Sequence, residues 1–281
     1  MKRFAVGYSD LDNSKEALSI VCEQISSGMG RKEPILVVFC SDSENFAYYS
    51  KQLRRRFPFS TVMGMTAYMG FSSRGYGKNA LSCLAIMDGI EIKAGKMISP
   101  KGGFKEYASK VIDTMNTLKE TENTLCFSCG AKMLDMETAL ETGQVLEEKG
   151  IKVCGGSIGE DDNLSTMLSF NGEVFDQGGM FCFIHNLCGR IELFSQSMSE
   201  DGIENILEKT ADTVKGSGIK PVFSIVANGI DYTLAMEKMN LLYDFTDMFC
   251  MEFGEYMGFS GYKDKDFYKS SYDSMLIAMF E

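Results

Sequence analysis

The chain has 281 residues, of which 44% are hydrophobic and 24% are charged, and its net charge is −11. This composition is typical of a soluble globular protein of one or two domains with enough apolar material for a core. The acidic balance argues against nucleic acid and against an anionic membrane as partners, because both attract clustered lysine and arginine. With one histidine in the sequence, sites that need two are excluded.

Neither a secretory signal nor a membrane segment is predicted. The amino-terminal residues lead directly into a short strand and a charged helix, and no uncharged apolar run approaches the length of a membrane span. We therefore expect a cytoplasmic protein without membrane insertion. Its nine cysteines are then predicted to be reduced and mostly buried, which an odd number also favours.

The first predicted unit covers residues 1–88. Its elements are, in chain order, a strand at Phe4–Tyr8, a helix that Asn13 and Glu16 begin as a capping box, a buried strand at Ile35–Ser41, a helix that Pro58 ends, a glycine-containing strand at Val62–Thr66 and a closing strand at Ala80–Met87. The order is therefore β-α-β-α-β-β.

The second unit, residues 89–187, repeats this order. Its elements are a strand at Ile90–Ile98, a helix after Gly103, a buried strand at Thr124–Gly130, a helix from the N-cap Asp135 to Gly150, a glycine strand at Val153–Ser157 and a closing strand at Met180–His185. Between the last two strands, Asn171-Gly172 predicts a type I′ hairpin turn.

The third unit, residues 188–281, has the same order again. Its elements are a strand at Arg190–Phe194, a helix at 203–214, a buried strand at Val222–Asn228, a helix at 234–243, a glycine strand at Cys250–Glu255 and a closing strand at Met275–Phe280. Self-similarity at a period of roughly 90 to 100 residues indicates one architecture built three times.

Alternating strands and helices predict an α/β fold: three β-α-β-α-β-β repeat units forming mixed, largely parallel sheets flanked by helices. The glycine strand and the closing strand of each unit could pair as an antiparallel hairpin, which would make the sheet mixed. The strand order does not follow from the sequence.

Ligands of such sheets lie beyond the carboxyl ends of parallel strands, where small polar residues and glycines free the backbone for contact. Glycines at such places can also simply close turns or permit tight packing. The candidate ligand-binding residues are Ser41, Gly64, Thr66, Cys129, Gly130, Gly155, Gly156, Ser157, Asn228, Glu252, Gly254 and Glu255.

Catalytic and metal sites are weaker readings of the same sequence. Cys40 or Cys129 could be a nucleophile and His185 a general base, although no activating partner is adjacent in sequence. Cys126 has redox-motif spacing to Cys129, but alternation along one strand directs the two thiols to opposite faces. The acidic triplet 160–162 could hold a divalent cation or form a solvated loop. No nucleotide fingerprint is present, and we predict no metal and no cofactor.

Several of these motifs resemble, in order and spacing, those of the FIST family (F-box and intracellular signal transduction) of sensory domains. The similar stretches are Phe4–Ser9, Leu36–Ser41, Met63–Tyr68 and Cys154–Asp161 for its amino-terminal region, and Glu252–Tyr256 with the strand Met275–Phe280 for its carboxyl-terminal region. The resemblance implies that residues 1–187 form the amino-terminal region and 188–281 a shortened carboxyl-terminal region.

The resemblance also implies a bacterial signal-input domain that binds a small ligand, an amino acid among the candidates, and regulates an attached or partner module. Such domains occur beside histidine kinases, chemotaxis receptors and cyclic-di-GMP enzymes. The leading hypothesis is thus a non-catalytic sensor for a small polar metabolite. The alternatives are an enzyme that uses a strand-end cysteine or acidic residues on a small molecule, and a protein-interaction module that uses the Met and Tyr residues of 232–257.

Overall fold

The computed structural model describes residues 3–29, 32–67, 69–132, 135–158, 165–197, 212–228, 255–260 and 274–281. The predictions for the acidic triplet 160–162, for the helix at 234–243, and for Glu252 and Gly254 lie outside these ranges, as does most of the helix expected at 203–214. Within them, no helix is both long and apolar enough to cross a bilayer.

The first unit contains eight of the elements. They are β1 (Phe4–Ser9), α1 (Ser14–Met29), β2 (Leu36–Ser41), α2 (Phe46–Arg56), β3 (Thr61–Thr66), β4 (Met69–Ser72), β5 (Gly75–Gly77) and β6 (Leu81–Ile86). The predicted capping box is confirmed at its acceptor, since Asn13 Oδ1 accepts from the backbone N–H groups of Lys15 and Glu16.

The second unit repeats the plan. Its elements are β7 (Ile90–Ile98), α3 (Gly103–Met115), β8 (Thr124–Ala131), α4 (Met136–Glu148), β9 (Lys152–Ile158), β10 (Leu168–Phe170), β11 (Glu173–Phe175) and β12 (Gly178–Asn186). Asp135 caps α4 by accepting from the Thr138 N–H, as its sequence position predicts.

The third unit is described in part. It contains β13 (Ile191–Ser197), helical residues 212–217, β14 (Phe223–Asn228), β15 (Glu255–Ser260) and β16 (Ser274–Phe280). The glycine strand of this unit therefore starts at Glu255, where the sequence pattern had placed its last residue.

The strands form three sheets with one common order. Sheet 1 is β1-β6-β2-β3-β10-β11, sheet 2 is β7-β12-β8-β9, and sheet 3 is β13-β16-β14-β15-β4-β5. In each, the closing strand lies antiparallel between the first and second strands, and the second and third strands are parallel. The three mixed sheets are confirmed, but the expectation that they are largely parallel is wrong: each has one parallel pair, and its other pairs are antiparallel because the closing strand runs back between the first and second strands.

Two details of the pairing differ from expectation. The closing strand does not pair with the glycine strand in any of the sheets, because β6, β12 and β16 fill the gap between the first two strands of their own unit. Instead, in units 1 and 2 the chain between them forms a hairpin that joins another unit's sheet. The hairpin β10–β11 extends sheet 1 at β3, and β4–β5 extends sheet 3 at β15.

The inner faces of the three sheets enclose one hydrophobic core. Val38, Phe127 and Ile225, at the same register position of β2, β8 and β14, are all fully buried in it. The packing is cyclic: β10 of sheet 1 lies against β8 and β12, β9 of sheet 2 lies against β13 and β16, and β15 of sheet 3 lies against β1 and β6. The result is a three-sided prism.

Helices cover the outer faces of sheets 1 and 2. α1 and α2 bury a second core against sheet 1, which includes Val21, Phe39 and Leu53. α3 and α4 do the same for sheet 2, with Tyr107 and Phe181 at the centre. Burial on both faces explains why the central strands are continuous apolar runs in the sequence.

The two ends of the prism differ chemically. At the end that we call the strand-carboxyl end, β2, β3, β8, β9, β14 and β15 terminate together, since Cys129 Sγ lies 3.8 Å from Met65 Sδ and Cys40 Sγ donates to the Gly258 carbonyl at 3.6 Å. At the other, the closure end, the three units are joined by a polar cluster. It consists of Arg3, Asn186, Arg190 and Glu281.

Candidate functional site

The sheet register brings most of the predicted site residues to the strand-carboxyl end as neighbouring pairs. Ser41 is opposite Thr66 in sheet 1, and Gly130 is opposite Ser157 in sheet 2. Cys129 is opposite Gly156 one position earlier. Asn228 of sheet 3 is opposite Ser260, a residue that the sequence reading did not select. Each unit therefore places two small residues at equivalent positions.

Ser260 could have been found from the repeat itself. The stretch Tyr256–Ser260 repeats the order of Val62–Thr66: a large apolar residue, methionine, glycine, an apolar residue and a hydroxyl side chain. Sequence reading instead aligned the earlier Gly254. The structure places Glu255 opposite Phe223 at the start of β15, five residues and about 17 Å from Asn228 at roughly 3.3 Å per residue. Glu255 therefore lies at the other end of the sheet from Asn228.

In sheet 1 the candidate site has a hydroxyl and a carboxylate at the amino terminus of α2. Ser41 is 1% exposed, and its hydroxyl donates to the neighbouring carbonyl of Asp42 at 3.0 Å. Asp42 Oδ1 accepts from the Asn45 N–H at 2.9 Å. Its second oxygen, Oδ2, is buried and has no hydrogen-bond partner among the described residues. This oxygen can accept a hydrogen bond from a bound donor.

Tyr49 of α2 lies close enough to the Asp42 carboxylate for the negative charge to affect the pKa of its phenol. Burial, reinforced by the negative charge of Asp42, raises the pKa of Tyr49 to about 12. The phenol is therefore protonated at neutral pH, so it adds a neutral polar group near the Asp42 carboxylate.

Thr66, by contrast, is committed to the fold. Its hydroxyl accepts from the Met167 N–H at 2.9 Å and lies 3.3 Å from the Met167 carbonyl, to which it donates. These bonds hold the chain entering β10 against the end of β3. Because the hydroxyl already donates one hydrogen bond and accepts another, the role of Thr66 at this edge is structural.

The recurring glycine of the third strand is explained by packing. A Cβ on Gly64 would lie 2.1 Å from the ring of Phe39, and one on Gly258 would lie 2.2 Å from the ring of Phe71. At Gly155 it would lie 1.8 Å from the Ser128 carbonyl oxygen. At Gly64 and Gly258 aromatic rings occupy the space that a side chain would take, which favours the packing interpretation of these glycines.

The cysteine–histidine pair considered as an alternative is not formed. Cys40 and Cys129 are fully buried, and burial raises the pKa of the Cys40 thiol. His185 is opposite Thr124 at the start of β8, five residues from Cys129, which is about 17 Å along a strand. The predicted separation of Cys126 and Cys129 is confirmed, since they lie in the outer and inner cores respectively.

Metal-ligating side chains do not cluster within the described residues, where no three His, Cys, Asp or Glu side chains come together as a metal site would require.

The fold and the strand-carboxyl end define a three-unit α/β protein with small polar residues at one end. Residues 35–206 match the model of the FIST N domain, which is more than half of the chain. The protein therefore belongs to the FIST family, a family of signal-transduction sensory domains. No curated protein sequence matches the chain.

Two solved structures of cyanuric acid hydrolase have a similar fold. One, described as an evolutionary innovation by structural concatenation, is 8% identical with a TM-score of 0.50, and the match covers 99% of each chain. The other, from A. caulinodans, is 8% identical with a TM-score of 0.48 over 100% of this chain and 99% of that one. At such identity the first likeness concerns the fold alone.

Proposed function

We propose that the protein is a cytoplasmic signal-input domain that binds a small polar metabolite at the strand-carboxyl end and regulates an attached or partner signalling module. The observation that carries this proposal is the buried Oδ2 of Asp42, which no described residue hydrogen-bonds, beside the Ser41 hydroxyl at the edge where the parallel strands end. Amino acids are the first ligands to consider, because an ammonium group suits a carboxylate acceptor. The partner class is a histidine kinase, a chemotaxis receptor or a cyclic-di-GMP enzyme.

A buried polar atom is more stable when it has a hydrogen-bond partner. A buried carboxylate oxygen without a hydrogen bond costs about 1–3 kcal/mol or more, and a ligand donor that satisfies it recovers that cost on binding. The backbone N–H groups at the start of α2 and the Ser41 hydroxyl complete a small polar surface there. A ligand that carries both a donor and an acceptor therefore fits better than an apolar one.

Thermal-shift and calorimetric titrations with amino acids and small organic acids test the proposal. A ligand that binds only the folded state raises the melting temperature by an amount that grows with its concentration. Asp42→Asn keeps the Oδ1 acceptor for Asn45 but places a donor at Oδ2, so we expect binding about tenfold weaker or lost. Ser41→Ala should weaken it less.

Ser109→Ala is the matched control, because that hydroxyl only bonds within α3, to the Lys105 carbonyl. The proposal is wrong if no compound raises the melting temperature, or if Asp42→Asn and Ser109→Ala bind a hit equally well. Cyanuric acid belongs in the screen, and every hit is recovered and analysed after incubation. Chemical conversion of a bound compound would contradict the sensor proposal and would support the alternative that the protein is an enzyme.

A further inference from the structure

A second concavity lies far from the strand-carboxyl end, on the outer face of sheet 2 near the closure end. It has a volume of about 220 Å³ and lies between the start of β7, the end of β12 and the connection that follows α3. That volume is below the roughly 300–1,000 Å³ of pockets for drug-sized ligands, so it suits a single-ring compound.

His185 occupies the centre of a cross-strand row in this groove. It lies directly opposite Glu91 of β7 on one side and Thr124 of β8 on the other. Its Nδ1 is 3.1 Å from the Thr124 hydroxyl. That hydrogen bond fixes the plane of the imidazole and leaves Nε2 for another partner.

The next row towards the sheet centre supplies an apolar floor. Phe183 lies two residues before His185, on the same face of β12, and is 1% exposed. Leu118 lines the groove from the connection after α3. An aromatic ring below and a leucine at the side favour a flat apolar group between them.

The charges at the rim are unequal in their availability. Lys93 donates to both the carbonyl and the hydroxyl of Thr117, at 2.8 Å for the latter, so its ammonium group already has partners. The carboxylates of Glu91 and Glu120 make no hydrogen bond or ion pair within the described residues. Lys119 stands on the exposed side of the groove. The free groups facing a ligand are therefore chiefly acceptors.

We propose that this groove binds a small organic cation with one flat apolar ring, its ammonium group held by Glu91 and Glu120 and its ring over Phe183. The net charge of −11 adds a field that attracts cations. The site is independent of the strand-carboxyl end, so its failure would leave the proposed function untouched.

Benzylamine, benzyl alcohol and benzoate are the probes, because they share the ring and differ in charge. We expect benzylammonium to bind at about millimolar concentration, as a ligand of this size allows, with chemical-shift changes in the NMR spectrum confined to β7, β12 and residues 117–120. Added salt should weaken binding. Equal or tighter binding of benzoate, or no binding of benzylammonium, overturns the proposal.

Two variants with opposite expected signs sharpen the test. Glu91→Gln should weaken benzylammonium binding about tenfold, whereas Lys119→Gln, which removes a repelling charge, should strengthen it. An anion site would give the reverse order. Glu148→Gln on α4 is the control expected to leave the affinity unchanged, and an equal loss of affinity in Glu148→Gln and Glu91→Gln would contradict the assignment.

Discussion

At the scale of single residues, unit 2 shows how one amino acid serves two different physical demands. Gly150 follows α4 with φ +75°, and nothing lies within 4 Å of a Cβ built there. Gly155, within β9, has φ +132°, and the same Cβ would lie 1.8 Å from the Ser128 carbonyl oxygen. The first glycine relieves only backbone strain, whereas the second also allows two strands to approach.

Substituting these two glycines by alanine should separate the effects. We expect Gly150→Ala to cost about 1–2 kcal/mol, the strain of a left-handed alanine. Gly155→Ala should cost several kcal/mol, because the carbonyl clash adds to that strain. Thermal melting of both variants measures the difference, and equal losses of melting temperature would show that the close approach in β9 relaxes freely.

At the scale of elements, the hairpin β10–β11 has an unusual position because it joins the sheet of the preceding unit. Its turn confirms the sequence prediction: Asn171 has φ +53° and Gly172 has φ +86°, as a type I′ turn requires. Asn171 also exchanges hydrogen bonds with Val62 of β3, accepting at its side chain and donating from its backbone. The turn residue thereby helps to fix the hairpin on sheet 1.

Variants at this turn test the docking. Asn171→Ala loses the bond to the Val62 N–H and strains the backbone, so we expect about 1–3 kcal/mol of destabilisation. Asn171→Asp keeps the acceptor and tolerates the left-handed conformation, so it should retain most of the stability. Hydrogen exchange at Val62 gives a local measure. Equal protection of that amide in both variants would contradict the role given to the side chain.

At the scale of the whole molecule, the prism is closed by the cluster at the closure end. Asn186, at the end of unit 2, accepts from Arg3 of unit 1 and donates to the carbonyls of Arg190 and Glu281 in unit 3. The guanidinium of Arg190 donates to the Glu281 carboxylate and holds the pKa of that carboxyl below its usual value. One buried amide thus contacts all three units.

Removing that amide should loosen the junction between units. Asn186→Ala leaves several buried partners unsatisfied, which we expect to cost about 2 kcal/mol and to lower the melting temperature by about 4–8 °C. Asn186→Asp retains the acceptor for Arg3 but loses both donated bonds, so it should also lower the melting temperature. Asn116→Ala, at the exposed end of α3, is the control. If it lowers the melting temperature as much as Asn186→Ala does, the cluster does not hold the units together.

The sequence by itself determined the units, because a buried strand, a helix cap and an Asn-Gly turn are local patterns that fold as local physics dictates. The runs at 35–41, 124–130 and 222–228, the cap at Asp135 and the turn at 171–172 all have the structure that was predicted. The repeat also located Ser41 and Thr66 at one edge.

Only the tertiary structure decided how the strands of those units pair and how the units pack together. The closing strand lies between the first two strands, and hairpins cross to another unit's sheet, because long-range pairing and burial choose among registers that are locally equivalent. The same packing covers Gly64 with Phe39 and commits Thr66 to Met167. It leaves Asp42 Oδ2 buried and, within the part of the chain that the structure describes, unpaired. This property depends on neighbours distant in sequence, and it distinguishes one acceptor among many small polar residues.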